Sequence, residues 1–105
     1  MKAMLLAAGR GERLRPLTDT TAKPLLSANG VSLIDYHLKK LSPAGIRDVV
    51  INTCWQASKI VEHIGNGSHY GLNVVYSHEQ QALETAGGVA HARDLLGDNP
   101  FLLIS

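Results

Sequence analysis

Four short apolar runs, at residues 2–7, 48–53, 72–77 and 101–104, alternate with stretches in which apolar residues recur at helical spacing. That alternation constrains the fold more than any other feature of the chain. Short β-branched runs bounded by turn residues read as buried strands, and the 3.6-period stretches between them as the helices that cover those strands. Ser32 is placed to cap a helix from Leu33, with Asp35 in its first turn. Leu33, Ile34, His37, Leu38 and Leu41 follow at helical spacing before Pro43, Ala44 and Gly45 end it. The run Asp48–Thr53 changes the period to that of a strand. Ala57–Ile64 follows as a helix with Ile60, Val61 and Ile64 on one face, closed by Gly65. A third helix is expected over residues 85–96. The order β-α-β-α-β-α-β predicts an α/β fold: a doubly wound, largely parallel sheet with helices on both faces.

At 105 residues the chain is one domain at most, with no internal repeat and no low-complexity tract. Ten basic against nine acidic residues leave a net charge of +1. This excludes a broad nucleic-acid or membrane surface, so any anion must be met locally. The amino-terminal apolar run is too short to span a bilayer, and Gly9, Arg10 and Gly11 follow where a signal peptide would continue. A cytoplasmic chain is expected. The one cysteine, Cys54, reads as a small packed side chain, and Trp55 and Tyr70 as packing residues. The five histidines, His37, His63, His69, His78 and His91, lack the i, i+4 pairing of a metal site.

The informative segment begins where the first strand should end. Ala7, Ala8, Gly9 and Gly11 are small enough for backbone N–H groups to approach a ligand closely, as a phosphate cradle requires. Arg10, Arg13, Arg15 and Lys23 follow within fourteen residues, against Glu12 and Asp19 as the only acids. Pro16 and Pro24 oppose continuous helix, so residues 9–24 are expected to form a long irregular loop. Polyphosphate suits this chemistry best. A dinucleotide-binding fingerprint would need glycine where Leu14 stands and an acid ending the second strand, where Asn52 and Thr53 stand. A P-loop would need Gly-Lys-Ser/Thr, which is absent.

Gly9, Gly11, Arg13, Leu14, Pro16, Leu17 and Thr18, followed by Lys23, Pro24 and Leu25, resemble the signature of the sugar-phosphate nucleotidyltransferase family. That signature is Gly-x-Gly-x-Arg-Leu-x-Pro-Leu-Thr followed by Pro-Lys-Pro-Leu. Ala22 departs from it, standing where the family carries proline. The resemblance implies that residues 1–105 are the nucleotide-binding amino-terminal part of a single nucleotidyltransferase domain whose sugar-binding carboxyl-terminal part is absent. It implies a nucleoside triphosphate and a sugar 1-phosphate as partners, with pyrophosphate released.

Arg13 and Lys23 are the implied catalytic cations. Ala8, Gly9, Gly11, Glu12, Gln80, Glu84, Thr85 and Gly88 are the further implied nucleotide contacts, and Ser105 a sugar contact. Thr85 can equally cap the third helix, with Gly87 and Gly88 allowing close packing on the sheet. Magnesium is implied as cofactor, with its carboxylate ligands beyond residue 105, so the fragment alone is expected to be inactive.

Within the family, a set of shorter patterns implies UTP and N-acetylmuramate α-1-phosphate as substrates. These are Asn52-x-x-Trp55, Gly65-Asn66-Gly67-Ser68-x-Tyr70-Gly71, Tyr76-Ser77-x-Glu79 and the run from Leu83 to Gly88. Mannose-1-phosphate guanylyltransferases share much of the same pattern. A non-catalytic binding module on the same fold is the alternative from another class.

Overall fold

The computed structural model describes residues 1–9, 25, 27–28 and 31–104. In chain order the elements are β1 (Lys2–Leu6), β2 (Ser27–Ala28), β3 (Val31–Ser32), α1 (Leu33–Leu41), β4 (Asp48–Thr53), α2 (Ala57–Ile64), a 3-10 turn (Ser68–Tyr70), β5 (Asn73–His78), α3 (Glu84–His91), α4 (Arg93–Leu96) and β6 (Phe101–Ile104). The main sheet has the order β5-β4-β1-β6, and every pairing in it is parallel. Among the described residues no helix is long and apolar enough to cross a membrane.

Period-2 alternation sends successive strand residues to opposite faces, and each face has its own core. Ala3, Leu5, Val49, Ile51 and Val74 pack with Ile34, Leu38 and Leu41 of α1 and with Ile60 and Ile64 of α2. Met4 and Val50 point the other way, against Ala92 and Leu96. Helices therefore lie on both faces of a parallel sheet, as the alternation of periods predicts. α1 begins as expected: Ser32 accepts a hydrogen bond from the Asp35 N–H at 3.2 Å, and Asp35 adds a negative charge to the first turn.

Three expectations need correction. The third helix is broken. It starts at Glu84 with Leu83 as its N-cap and no side-chain cap, so Thr85 does not cap it. Ala92, fully buried at φ −90° and ψ 5°, separates α3 from α4. The third strand is Asn73–His78, one residue later than its apolar run, because its register is set by pairing with β4 from Asp48↔Asn73 to Thr53↔His78. The small antiparallel pair β2–β3, with Ser27 opposite Ser32 and Ala28 opposite Val31, was not anticipated.

Candidate functional site

Strand order places the site. β4 and β5 lie to one side of β1 and β6 to the other, so the strand order reverses between β1 and β6. In open α/β sheets that switch point, at the carboxyl ends of the strands, is where ligands bind. β1 delivers the chain to this edge at Leu6, and Ala7, Ala8 and Gly9 lead from it into the glycine and arginine segment. Ala7 and Ala8 are buried and Gly9 is exposed. A Cβ on Gly9 would meet no atom of the described protein within 4 Å. Among the described residues no side chain demands glycine there, whereas close approach by a ligand would.

A buried polar chain spans the same edge. The Ala7 N–H donates to Asn52 Oδ1 at 2.6 Å, Asn52 Nδ2 donates to Glu79 Oε2 at 3.1 Å, and the Leu83 N–H donates to Glu79 Oε1 at 3.0 Å. The Glu79 N–H donates to the Thr53 carbonyl at 2.8 Å. Asn52 and Glu79 are 3% and 1% exposed, so each bond forms away from water, where leaving any of these groups unpaired would be costly. Both residues share the α3 face of the sheet with Ser77, which pairs in register with Asn52. Gly88 of α3 presses on the pair. A Cβ on Gly88 would lie 2.9 Å from Asn52 Nδ2 and 3.0 Å from Glu79 Oε2.

The residues expected from the sequence divide accordingly. Ala8 and Gly9 stand at the carboxyl end of β1. Gln80, Glu84 and Thr85 are exposed in and just after the loop that carries β5 into α3. Gly88 is buried under Asn52 and Glu79, which makes it a packing position on the sheet side, while Gly87 faces Leu83 rather than the sheet. Gly11, Glu12, Arg13, Lys23 and Ser105 lie outside the described residues. Asn52 and Glu79 were not singled out as site residues. Only a strand order that sets β4 beside β5 brings together two residues 27 apart in sequence.

His91 Nε2, at the end of α3, lies 3.0 Å from the His78 carbonyl, and on the opposite face Thr53 Oγ1 lies 3.3 Å from His78 Nδ1. Cys54 is free and half-buried.

Fold and edge together define an open, parallel α/β sheet whose switch point lies between β1 and β6. Residues 2–105 match the nucleotidyl transferase family model, and the chain belongs to that family. It is 56% identical over 106 residues to the N-acetylmuramate alpha-1-phosphate uridylyltransferase of Neisseria meningitidis serogroup B, covering all of this chain and 46% of that protein. It is 43% identical over 101 residues to the protein of the same name from Caulobacter vibrioides, covering 93% and 42%.

A mannose-1-phosphate guanylyltransferase of Mycobacterium tuberculosis is 32% identical over 103 residues. Among solved structures, a candidate glucose-1-phosphate thymidylyltransferase from Bacillus anthracis, in complex with sucrose, superposes with a TM-score of 0.91 at 30% identity, covering 99% of this chain and 43% of that one. A UDP-glucose pyrophosphorylase bound to UDP-glucose shares the fold, with a TM-score of 0.80 at 23% identity. The chain spans under half the length of these relatives.

Proposed function

We propose that the complete protein transfers a nucleotidyl group from UTP to N-acetylmuramate α-1-phosphate, giving a UDP-sugar and pyrophosphate in the recycling of cell-wall sugars. The observation that carries this reading is the placement of the glycine segment. It leaves β1 at the switch point, in a chain 56% identical to a uridylyltransferase of that specificity. The lower identity to the mannose-1-phosphate guanylyltransferase ranks GTP and mannose 1-phosphate second.

In the proposed reaction a sugar-phosphate oxygen attacks the α-phosphorus in line. The new O–P bond forms as the bond to the β-phosphate oxygen breaks, and pyrophosphate leaves with that electron pair. No covalent enzyme intermediate is needed, so catalysis rests on positioning and on neutralising crowded charge. Arg13 is assigned to the leaving β- and γ-phosphates and Lys23 to the reacting phosphates. Backbone groups at Ala8, Gly9, Gly11 and Glu12 approach the triphosphate, and Gln80, Glu84 and Thr85 flank the base. Among the described residues no group of three or more His, Cys, Asp or Glu comes together to hold a metal. The family resemblance brings magnesium into the proposal through ligands beyond residue 105, and no step is routed through it. The reaction is placed in the cytoplasm, where nucleoside triphosphates are available.

The test is pyrophosphate release by the complete protein with magnesium, offering UTP or GTP against N-acetylmuramate 1-phosphate or mannose 1-phosphate. Release confined to UTP with the muramate sugar is the expected result. Preference for GTP with mannose phosphate would move the substrate, and no release with any pair would sink the assignment. Replacing Arg13 or Lys23 with Ala is expected to lower kcat/KM by at least about a hundredfold, the scale on which lost transition-state charge contacts register.

A further inference from the structure

We propose that Asn52 and Glu79 are positioning residues, forming a buried strut. It fixes the distance between the start of the glycine loop at Ala7 and the loop of residues 80–83 that opens α3. The inference rests on the reading above, in which those two loops serve the triphosphate and base ends of one nucleotide. The strut is specified by hydrogen-bond polarity as well as by shape. A backbone N–H stands at each end, at Ala7 and at Leu83, and both can only donate.

The two side chains between them must therefore present an acceptor outward at each end and one donor between themselves. Asn52 supplies Oδ1 to Ala7 and its N–H to Glu79, while Glu79 supplies acceptors on both sides. Glutamine at position 79 breaks this order. Whichever way its amide turns, one donor meets another donor, or the asparagine flips and turns its NH2 toward the Ala7 N–H. Aspartate at position 52 fails in the opposite sense, by setting two carboxylates face to face. Making both changes restores every bond with the same net charge. The aspartate then accepts from Ala7 and from the glutamine amide, and the glutamine oxygen accepts from Leu83.

Neither Asn52 nor Glu79 is assigned a nucleotide contact, so a broken strut changes the spacing of the loops without removing a ligand-contacting group. The prediction is a reciprocal rescue in the complete protein. Asn52→Asp and Glu79→Gln should each weaken UTP binding about tenfold, the cost of one buried unmatched polar group. The Asn52→Asp/Glu79→Gln double variant should return to within about threefold of the parent. Asn52→Asp should also regain affinity as pH falls, because a proton shared between facing carboxylates restores the missing donor. Parent and double variant should show no such recovery.

Amide hydrogen exchange provides a readout independent of nucleotide. Glu79→Gln should speed exchange at Leu83 and also at Ala7, which position 79 does not touch, and the double variant should restore both. If the parent binds no UTP, the functional reading fails while exchange at Ala7 still tests the strut. Additive losses in the double variant, or unchanged exchange at Ala7 in a folded Glu79→Gln protein, would overturn the proposal.

Discussion

Glu84 occupies a backbone conformation that its side chain disfavours. Its φ is +62°, in the left-handed region, although it is the first residue of α3. Gln56, φ +56°, does the same at the N-cap of α2. Both residues lie where the chain turns from the carboxyl end of a strand into a helix, on the edge that carries the site. Non-glycine residues in such conformations persist where the surrounding structure enforces them. The left-handed conformation costs an L-residue about 1–2 kcal/mol, a cost glycine does not carry.

Glu84→Gly should therefore be more stable than Glu84→Ala by about 1 kcal/mol. This inverts the usual order inside a helix, where alanine leads glycine by about the same amount. Gly88→Ala should invert expectation again and destabilise despite the better helix propensity of alanine, because the new methyl group meets Asn52 and Glu79. Urea denaturation midpoints of the three variants check both signs. The close packing of Gly88 on the sheet was legible in the sequence; the conformation of Glu84 was not, because glutamate carries no signal for a left-handed φ.

At the level of elements, Asp35 joins α1, α2 and the 3-10 turn. Its carboxylate accepts from the Tyr70 hydroxyl and lies 3.1 Å from His63 Nε2. Burial pushes the Asp35 carboxyl upward, but the hydrogen bonds from Tyr70, Ser32 and His63 outweigh it and hold the pKa below its ordinary value. Tyr70 moves the other way, raised first by burial and then by the hydrogen bond and charge of Asp35.

A depressed carboxylate stabilises the fold above its unfolded pKa and loses that contribution as pH falls through its folded value. A raised tyrosine stabilises below its unfolded pKa of 10.0 and loses that contribution as pH rises beyond it. Tyr70→Phe should therefore flatten the alkaline limb of a Tm-against-pH profile, and it should flatten the acid limb too, because Asp35 loses a hydrogen bond that lowers its pKa. Part of the alkaline limb should survive, because burial also raises Tyr76. The loss near neutrality should be about 1 kcal/mol, a charged hydrogen bond discounted for partial exposure.

The elements themselves were largely legible. β4, α2 and β6 have the bounds their periodicity implies, and Ser32 announced α1. The break at Ala92 was not legible, since the residues around it all tolerate helix. The clasp at Asp35 was hidden for the same reason as the Asn52–Glu79 strut: its partners, at positions 63 and 70, meet only once the helices have packed.

Across the whole molecule the sheet divides two unequal cores. The α1 and α2 side buries side chains from five elements, β1, α1, β4, α2 and β5, and Leu38, Ile51 and Ile60 among them are 0% exposed. The α3 and α4 side rests on Met4, Val50, Ala92 and Leu96, with Leu6, Val89 and Phe101 partly buried around them. On this face Leu95, Leu103 and Val75 remain about two-fifths exposed. A fully enclosed side chain cannot be replaced by collapse of its neighbours, whereas a thinly covered face can adjust, and the cost of a cavity follows that difference. Leu38→Ala and Ile60→Ala are therefore expected at the upper part of the range of about 2–5 kcal/mol for such truncations, and Leu96→Ala at its lower end.

The functional consequence runs the other way. The strut between Asn52 and Glu79 lies on the thinner face, under Gly88 of α3, so loosening that face should disturb the nucleotide site before it unfolds the protein. Leu96→Ala should weaken UTP binding by more than its small effect on the denaturation midpoint implies, while Leu38→Ala should lower the midpoint and leave the affinity of the folded fraction unchanged. Calorimetric titration of UTP beside urea denaturation, on the same complete proteins, separates the two. Equal ratios of affinity loss to stability loss in both variants would mean that the site draws on the two cores alike.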